Sequence, residues 1–215
     1  MTKIRDAYIN ALLADATYAL DEITPDGLSG DELKDKLKTR MTSILAEYIS
    51  NNFTVVTHAA TDDDTDSGFD ATVWQDNSGK TYVSMTGTEG LSSQGDILTD
   101  IELTLTGIGG NQIVDMVNWW MRHTTGDGDY AIQIIQGDND QYILTSPVTG
   151  TGLLSDISSV IVGGHSLGGH LATAFTRLFG AKWTIDHTFT YNSAGFTGDS
   201  SALLDQVAAL LGAWV

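Results

Sequence analysis

The sequence contains no cysteine, and this absence excludes disulfide bridges, thiolate metal ligands and a cysteine nucleophile. No apolar run is as long as a membrane span, and residues 1–6 lack the apolar core of a signal peptide. Repeats, low-complexity tracts and interdomain linkers are missing as well. The 215 residues therefore predict one globular α/β domain, with residues 1–50 forming a helical segment packed on the rest.

Positive charge is scarce, since 10 basic residues stand against 28 acidic ones and the net charge is −18. A surface this acidic repels nucleic acid and anionic membranes, so we expect no DNA or RNA partner. Hydrophobic residues make up 41% of the chain, which is ordinary for a soluble globular protein.

Hydrophobic periodicity predicts a chain in which helices and strands alternate. An i, i+4 stripe predicts a first helix over about residues 3–20, packed on the core through Ile4, Tyr8, Leu12, Ala16 and Leu20. Further predicted helices cover residues 29–50, 96–105, 111–123 and 203–211 and the segment after residue 166. Predicted strands cover residues 53–57, 71–75, 80–86, 131–136, 141–145, 160–162 and 188–191.

Residues 159–172 predict a short apolar strand, a glycine-bounded turn centred on Ser166, and a helix. Gly164 and Gly168 flank the serine at the spacing of a nucleophile elbow, in which a strained serine needs small neighbours two residues away on each side. The amides that follow lie at a helix N-terminus, where partial positive charge favours a developing oxyanion. The alternative is an ordinary glycine-rich strand–helix connection, and no P-loop lysine supports it as a phosphate site.

Gly-His-Ser-Leu-Gly-Gly-His at residues 164–170 resembles the elbow of α/β-hydrolase lipases, especially the class 3 lipase group and related bacterial lipases and phospholipases A1. Residues 82–90 resemble the strand of that group that ends in Arg-Gly-Thr, with Thr86 in place of the arginine. Residues 190–196 resemble the strand and loop after the elbow helix. The resemblance runs from about Ser67 to Phe196.

This resemblance implies an α/β-hydrolase-like fold, a mainly parallel sheet with helices on both faces and Ser166 at the C-terminal edge of a central strand. It implies a triacylglycerol lipase or phospholipase A1 that needs no cofactor and cleaves lipid or small ester substrates, with transient contact with a lipid interface. Acidic, cysteine-free chains of this kind are usual among secreted bacterial lipases without an N-terminal signal. A cytoplasmic location and the oligomeric state stay open.

Acyl transfer needs a nucleophile, a base, an orienting acid and an oxyanion hole. Ser166 is the predicted nucleophile, and the backbone amide of Leu167 is a predicted oxyanion donor because it follows the serine. The resemblance implies Thr88 as the second donor, through its amide and its hydroxyl. The alternative for Thr88 is a turn-capping residue.

The sequence marks no catalytic base. In α/β-hydrolases the acid and then the histidine follow the serine, and only His170 and His187 do so here. We expect His170 to point away from the hydroxyl and His187 to lie at the opposite end of its strand; neither Asp199 nor Asp205 carries a motif for the acid. We therefore expect a C-terminally incomplete lipase-like chain. An unusual complete triad and a non-catalytic, hydrolase-like binding module are the alternatives.

The histidines before the elbow helix are expected to be structural. His165 is the variable residue of the elbow motif, and His58 precedes the serine by a long way. His123 is explained as a cation near a helix C-terminus.

Dense carboxylates in residues 61–68, 127–129 and 138–140 raise the possibility of calcium, which prefers oxygen ligands. Their spacing matches no EF-hand loop, so solvated acidic turns are the favoured interpretation.

The stretch Trp119–Met121 lies on a predicted helix and carries three large apolar side chains. Such a stripe is more often core than the lining of an acyl-chain groove or a lid, and both interpretations are kept.

Overall fold

The computed structural model describes residues 3–21, 24–59, 67–87, 97–138, 141–196 and 198–212, without the side chains of residues 97–110, Pro147 and Asp199. The helices in these ranges are α1 (Lys3–Thr17), α2 (Gly30–Leu37), α3 (Ser43–Asn52), α4 (Ile97–Thr124), α5 (Leu167–Phe179) and α6 (Gly198–Gly212). The strands are β1 (Phe53–Ala59), β2 (Ala71–Asp76), β3 (Thr81–Met85), β4 (Tyr130–Gln136), β5 (Tyr142–Thr149), β6 (Ser159–His165) and β7 (Thr184–Tyr191).

A five-stranded sheet in the order β1-β2-β3-β6-β7 forms the centre of the fold. The pairs β1–β2 and β2–β3 are antiparallel, whereas β3–β6 and β6–β7 are parallel, so four of the five strands run in one direction. Strands β4 and β5 form a separate antiparallel hairpin. The predicted α/β class is confirmed.

Helices cover both faces of the five-stranded sheet because side chains alternate between the faces along each strand. Val83 and Val162 point into a core shared with α4, α5 and α6, whereas Tyr82 and Ile161, one residue earlier, point into a core shared with α1, α2 and α3. The two parallel strands β3 and β6 are therefore covered from both sides.

The predicted apolar stripe of the first helix is wrong at its start. Ile4 and Tyr8 are 82% and 58% exposed, whereas Asn10 and Thr17 are buried. The polar side chains enter the core because each bonds to a carbonyl of its own helix: Asn10 Nδ2 donates to Asp6 O and Thr17 Oγ1 donates to Leu13 O. Hydropathy does not recognise polar side chains that bond to the backbone in this way. The Oδ1 atom of Asn10 is buried without a hydrogen-bond partner among the described residues.

Two predicted helix boundaries are also corrected. The single helix expected over residues 29–50 is divided into α2 and α3, and Thr42 caps α3 by accepting a hydrogen bond from Leu45 N. The two helices expected over residues 96–105 and 111–123 are one helix, α4, which continues through Gly109 and Gly110. No helix in the described ranges combines the length and the apolarity needed to cross a membrane.

Candidate active site

Ser166 occupies a sharp turn between the end of β6 and the start of α5. Its backbone has φ 55° and ψ −122°, a region that a residue with a Cβ atom adopts only under strain. Hydrogen bonds on both sides hold this conformation, since Ser166 N donates to Tyr191 O at 3.0 Å and Ser166 O accepts from Gly169 N at 3.0 Å. The predicted strand–serine–helix turn is present with the predicted strain.

Close backbone packing explains the glycines around the serine. A Cβ atom on Gly164 would lie 2.1 Å from Gly168 O, and one on Gly168 would lie 2.1 Å from Met85 O. Neither contact is sterically possible for backbone atoms, so only glycine fits at these two positions. The elbow helix therefore packs directly on the backbone of β6 and on the end of β3.

The end of β3 lies beside Ser166, the predicted nucleophile. A Cβ atom on Gly87 would lie 3.3 Å from the Cβ of Ser166 and 3.2 Å from His165 O. Thr88, the second expected oxyanion donor, is outside the described residues, but the residue before it is in contact with the serine. Leu167, the other expected donor, is the first residue of α5, so its amide belongs to the helix N-terminus.

Thr86 replaces the arginine of the resembling motif and makes contacts of its own. Its amide donates to Asp70 O at 3.1 Å, and its hydroxyl donates to the same oxygen at 3.3 Å. Thr86 thus links the end of β3 to the residue just before β2. Its short hydroxyl side chain has a structural role here.

Tyr18, the residue after the end of α1, contacts the backbone just after the end of β3. Its hydroxyl oxygen accepts a hydrogen bond from Gly87 N at 2.6 Å. Tyr18 was not among the predicted site residues, and no local pattern marks it, because its partner is 69 residues away along the chain.

Two histidines lie within hydrogen-bond distance of threonines: the side chain of His58 is buried, and His123 is half-buried. The Nδ1 atom of His58 lies 2.9 Å from Thr72 Oγ1, and that of His123 lies 2.8 Å from Thr151 Oγ1. Burial lowers the pKa of each ring to about 4. The expectation that His123 is a cation at the end of its helix is therefore wrong, because desolvation outweighs the attraction of the helix C-terminus.

The two histidines after the serine do not act on it in this structure. His170 is fully buried, its ring centroid is 3.9 Å from that of Phe196, and burial lowers its pKa. His187 is exposed in the middle of β7, paired with Ile161, rather than at the far end of its strand as expected. His165 is exposed at the end of β6.

All five histidines are among the described residues, and none of them is hydrogen-bonded to the Ser166 hydroxyl. Asp205 forms an ion pair with Arg177 in the last turn of α5, remote from the elbow, and the side chain of Asp199 lies outside the described part. Within the described ranges the structure thus brings Ser166, the predicted nucleophile, next to the end of β3, whereas neither Asp205 nor any of the five histidines is hydrogen-bonded to its hydroxyl.

Only some of the acidic residues considered as calcium ligands are described by the structure. Residues 61–66, 139 and 140 are outside the described ranges, whereas Asp127 and Asp129 lie in the turn before β4. Within the described ranges no three His, Asp or Glu side chains converge as metal ligands. Calcium binding by residues 61–66, 139 and 140 stays an untested alternative to the favoured interpretation as solvated acidic residues.

Trp120 and Met121 belong to the core, as the favoured interpretation had it. Trp120 is fully buried, and its ring centroid lies 4.8 Å from that of Phe175 and 5.8 Å from that of Trp183. A lid or groove role for this part of α4 has no support from its packing.

A cavity of about 320 Å³ lies at the ends of the strands opposite to Ser166. Lys80, Thr81, Ser158 and Ser159 line it at the beginnings of β3 and β6. Because Ser166 follows the end of β6, this cavity does not belong to the elbow.

Together the fold and this turn define a mixed α/β protein with a strained serine between a parallel strand and a helix. Comparison with protein-family models, with curated proteins and with solved structures gave no match for this chain.

Proposed function

We propose that this chain is a serine ester hydrolase with an α/β-hydrolase-like fold, acting on acyl esters of the lipase or phospholipase A1 type. The observation that carries the proposal is the backbone of Ser166, held at φ 55° between a buried parallel strand and the N-terminus of α5. Strain at one polar residue, with glycine enforced on both sides, is the usual mark of a functional turn rather than of a simple connection.

In the proposed reaction the Oγ atom of Ser166 attacks the ester carbonyl carbon and loses its proton to a base. The carbonyl oxygen becomes an oxyanion, which the Leu167 amide at the helix N-terminus and Thr88 after the end of β3 would stabilise. Collapse breaks the bond to the alcohol oxygen, and the alcohol leaves with the proton. Water then cleaves the acyl-enzyme and releases a carboxylic acid and the free serine.

The lipid substrate comes from the resemblance of residues 164–170, 82–90 and 190–196 to the class 3 and related bacterial lipases. The position of Gly87 against Ser166 supports this reading, because in that group the oxyanion strand must end beside the nucleophile. Secretion and transient contact with a lipid interface belong to the same proposal. The net charge of −18 favours neutral or zwitterionic interfaces over anionic ones.

A second candidate is a non-catalytic module that binds a lipid, peptide or protein partner at the elbow without turnover. The absence of a hydrogen bond between Ser166 and any of the five histidines favours it. Without a base the serine hydroxyl is a weak nucleophile near neutral pH.

Hydrolysis of p-nitrophenyl esters and covalent labelling by a fluorophosphonate separate the two candidates. The proposal expects both signals from the chain and their loss in Ser166→Ala, and His170→Gln and His187→Gln then test whether either histidine that follows the serine takes part in the reaction. Folded protein that gives neither signal above the Ser166→Ala background would overturn the catalytic proposal for this chain and support the binding module.

A further inference from the structure

Three groups from distant parts of the chain meet beside the nucleophile. The position of a Cβ atom on Gly87 is 3.2 Å from the Tyr18 hydroxyl oxygen and 3.3 Å from Ser166 Cβ. The same hydroxyl accepts the Gly87 amide at 2.6 Å. Tyr18 is thus a direct neighbour of the site through the last residue before Thr88.

The phenol of Tyr18 is held by well-packed surroundings. Ala16 and Thr17, at the end of α1, are fully buried. The guanidinium carbon of Arg40 lies 4.4 Å from the centroid of the Tyr18 ring, and Arg40 Nε donates to Asp15 Oδ1 at 2.8 Å. A ring fixed by a helix end and a stacked cation is a rigid anchor for whatever its hydroxyl contacts.

Gly87 needs such an anchor. A side chain there would be crowded, because His165 O and Ser166 Cβ lie within 3.3 Å of the Cβ position and would have to shift by a few tenths of an ångström. Glycine fits, but it has the greatest backbone freedom of any residue. A hydrogen bond from its amide to a fixed acceptor removes part of this freedom and fixes the peptide that leads into Thr88.

We propose that Tyr18 is a positioning residue for ester hydrolysis, holding the Gly87 amide so that the oxyanion side of the site stays aligned with Ser166. This inference rests on the proposed serine hydrolase function. Tyr18 acts through the backbone of Gly87, and its loss lowers stabilisation of the transition state more than binding of the substrate.

The test compares Tyr18→Phe with Tyr82→Phe. Each change removes one partly buried tyrosine hydroxyl that makes a hydrogen bond near β3. The Tyr82 hydroxyl bonds to Asp76, the last residue of β2, at the end of β3 that lies away from Ser166. We expect Tyr18→Phe to lower kcat for p-nitrophenyl esters by roughly 10- to 100-fold with little change in KM, because small misplacements at a reacting centre have effects of that size. Tyr82→Phe should retain the kcat of the unmodified chain, at a similar melting temperature.

Hydrogen exchange at the Gly87 amide, followed by NMR, separates failure of this inference from failure of the proposed function. Faster exchange in Tyr18→Phe and not in Tyr82→Phe is the expected result. Equal kcat values in the two variants of an active chain would overturn the positioning role. If the unmodified chain has no Ser166-dependent activity, the proposed function and the role in it both fail, and the exchange rates show whether the contact itself exists.

Discussion

The carbonyl oxygen of Met85 lies 2.1 Å from the position that a Cβ atom on Gly168 would take. The end of β3 and the first turn of α5 therefore meet backbone to backbone, with no space for a methyl group. This contact places Gly87, two residues after Met85, beside Ser166.

Replacement of Gly168 by alanine should destabilise the fold strongly. The added methyl group must displace a backbone carbonyl, and overpacking of this kind costs about 3 kcal/mol or more. Urea unfolding gives the free energy. Gly212→Ala is the matched control, because a Cβ atom there meets no atom within 4 Å, and it should change stability by less than about 0.5 kcal/mol. Equal effects of the two changes would contradict the backbone contact.

Replacement of Ser166 by glycine should give a more stable protein than replacement by alanine. Both variants lack the hydroxyl, but only glycine adopts φ 55° without strain. Glycine relieves the backbone strain but loses more conformational entropy on folding than alanine does. The net difference in stability between the two variants is about 1 kcal/mol, which corresponds to roughly 2–4 °C in Tm for a protein of this length. Scanning calorimetry measures the difference, and a lower Tm for Ser166→Gly than for Ser166→Ala would show that the turn is not strained.

Replacement of Trp120 by alanine should strongly lower the free energy of unfolding. The side chain is fully buried among Phe175, Phe179 and Trp183, and truncation of a buried tryptophan costs about 3–5 kcal/mol. Denaturant unfolding is the measurement. Tyr130→Ala, at a 75% exposed position, serves as the surface control and should cost at most about 0.5 kcal/mol. A small loss of stability in Trp120→Ala would contradict the core position of this residue and favour the lid or groove interpretation.

Stability should fall as the pH is lowered from about 6.5 to about 4, in part through His58. Burial lowers the pKa of this histidine to about 4 in the folded state from 6.5 when unfolded. The unfolded chain therefore binds more protons in that window, and protonation favours unfolding until both states are protonated below about pH 4. The decrease from His58 amounts to at most about 3 kcal/mol.

Urea unfolding at several pH values between 4 and 7 tests this dependence against the variant His58→Gln. The variant should show a shallower decrease in unfolding free energy across the window than the unmodified chain. His123→Gln should behave in the same way, because burial lowers its pKa to about 4 as well. Identical pH profiles for the unmodified chain and both variants would mean that the two rings titrate in the folded state as they do in the unfolded one.

Most of the sheet and the elbow were predictable from the sequence because their signals are local. The β-branched run of β6, glycine at positions 164 and 168 and the apolar face of α5 all lie in residues 160–179, and each predicts the same strand–turn–helix unit. Helix boundaries were less predictable. Neither the division between α2 and α3 nor the continuation of α4 through Gly109 and Gly110 follows from local propensity, because packing decides both.

The burial of polar groups was not predictable from hydropathy. Asn10 and Thr17 enter the core because their side chains bond to carbonyls of the same helix, whereas Ile4 is left in solvent. His123 has the sequence position of a helix-end cation, but the depth of its burial decides its charge.

Residue type and spacing alone predicted the strained turn at Ser166, the helix that begins at Leu167 and the close packing of the glycines at 164 and 168, since strain and helix-end polarity at such a turn depend on a few adjacent residues. Only the tertiary structure decided which distant groups stand near the serine. It brought Gly87 and the hydroxyl of Tyr18 to it and left the five histidines unbonded to it. The reason is physical: contacts across 69 residues depend on how α1 crosses the sheet, and no local pattern encodes that crossing.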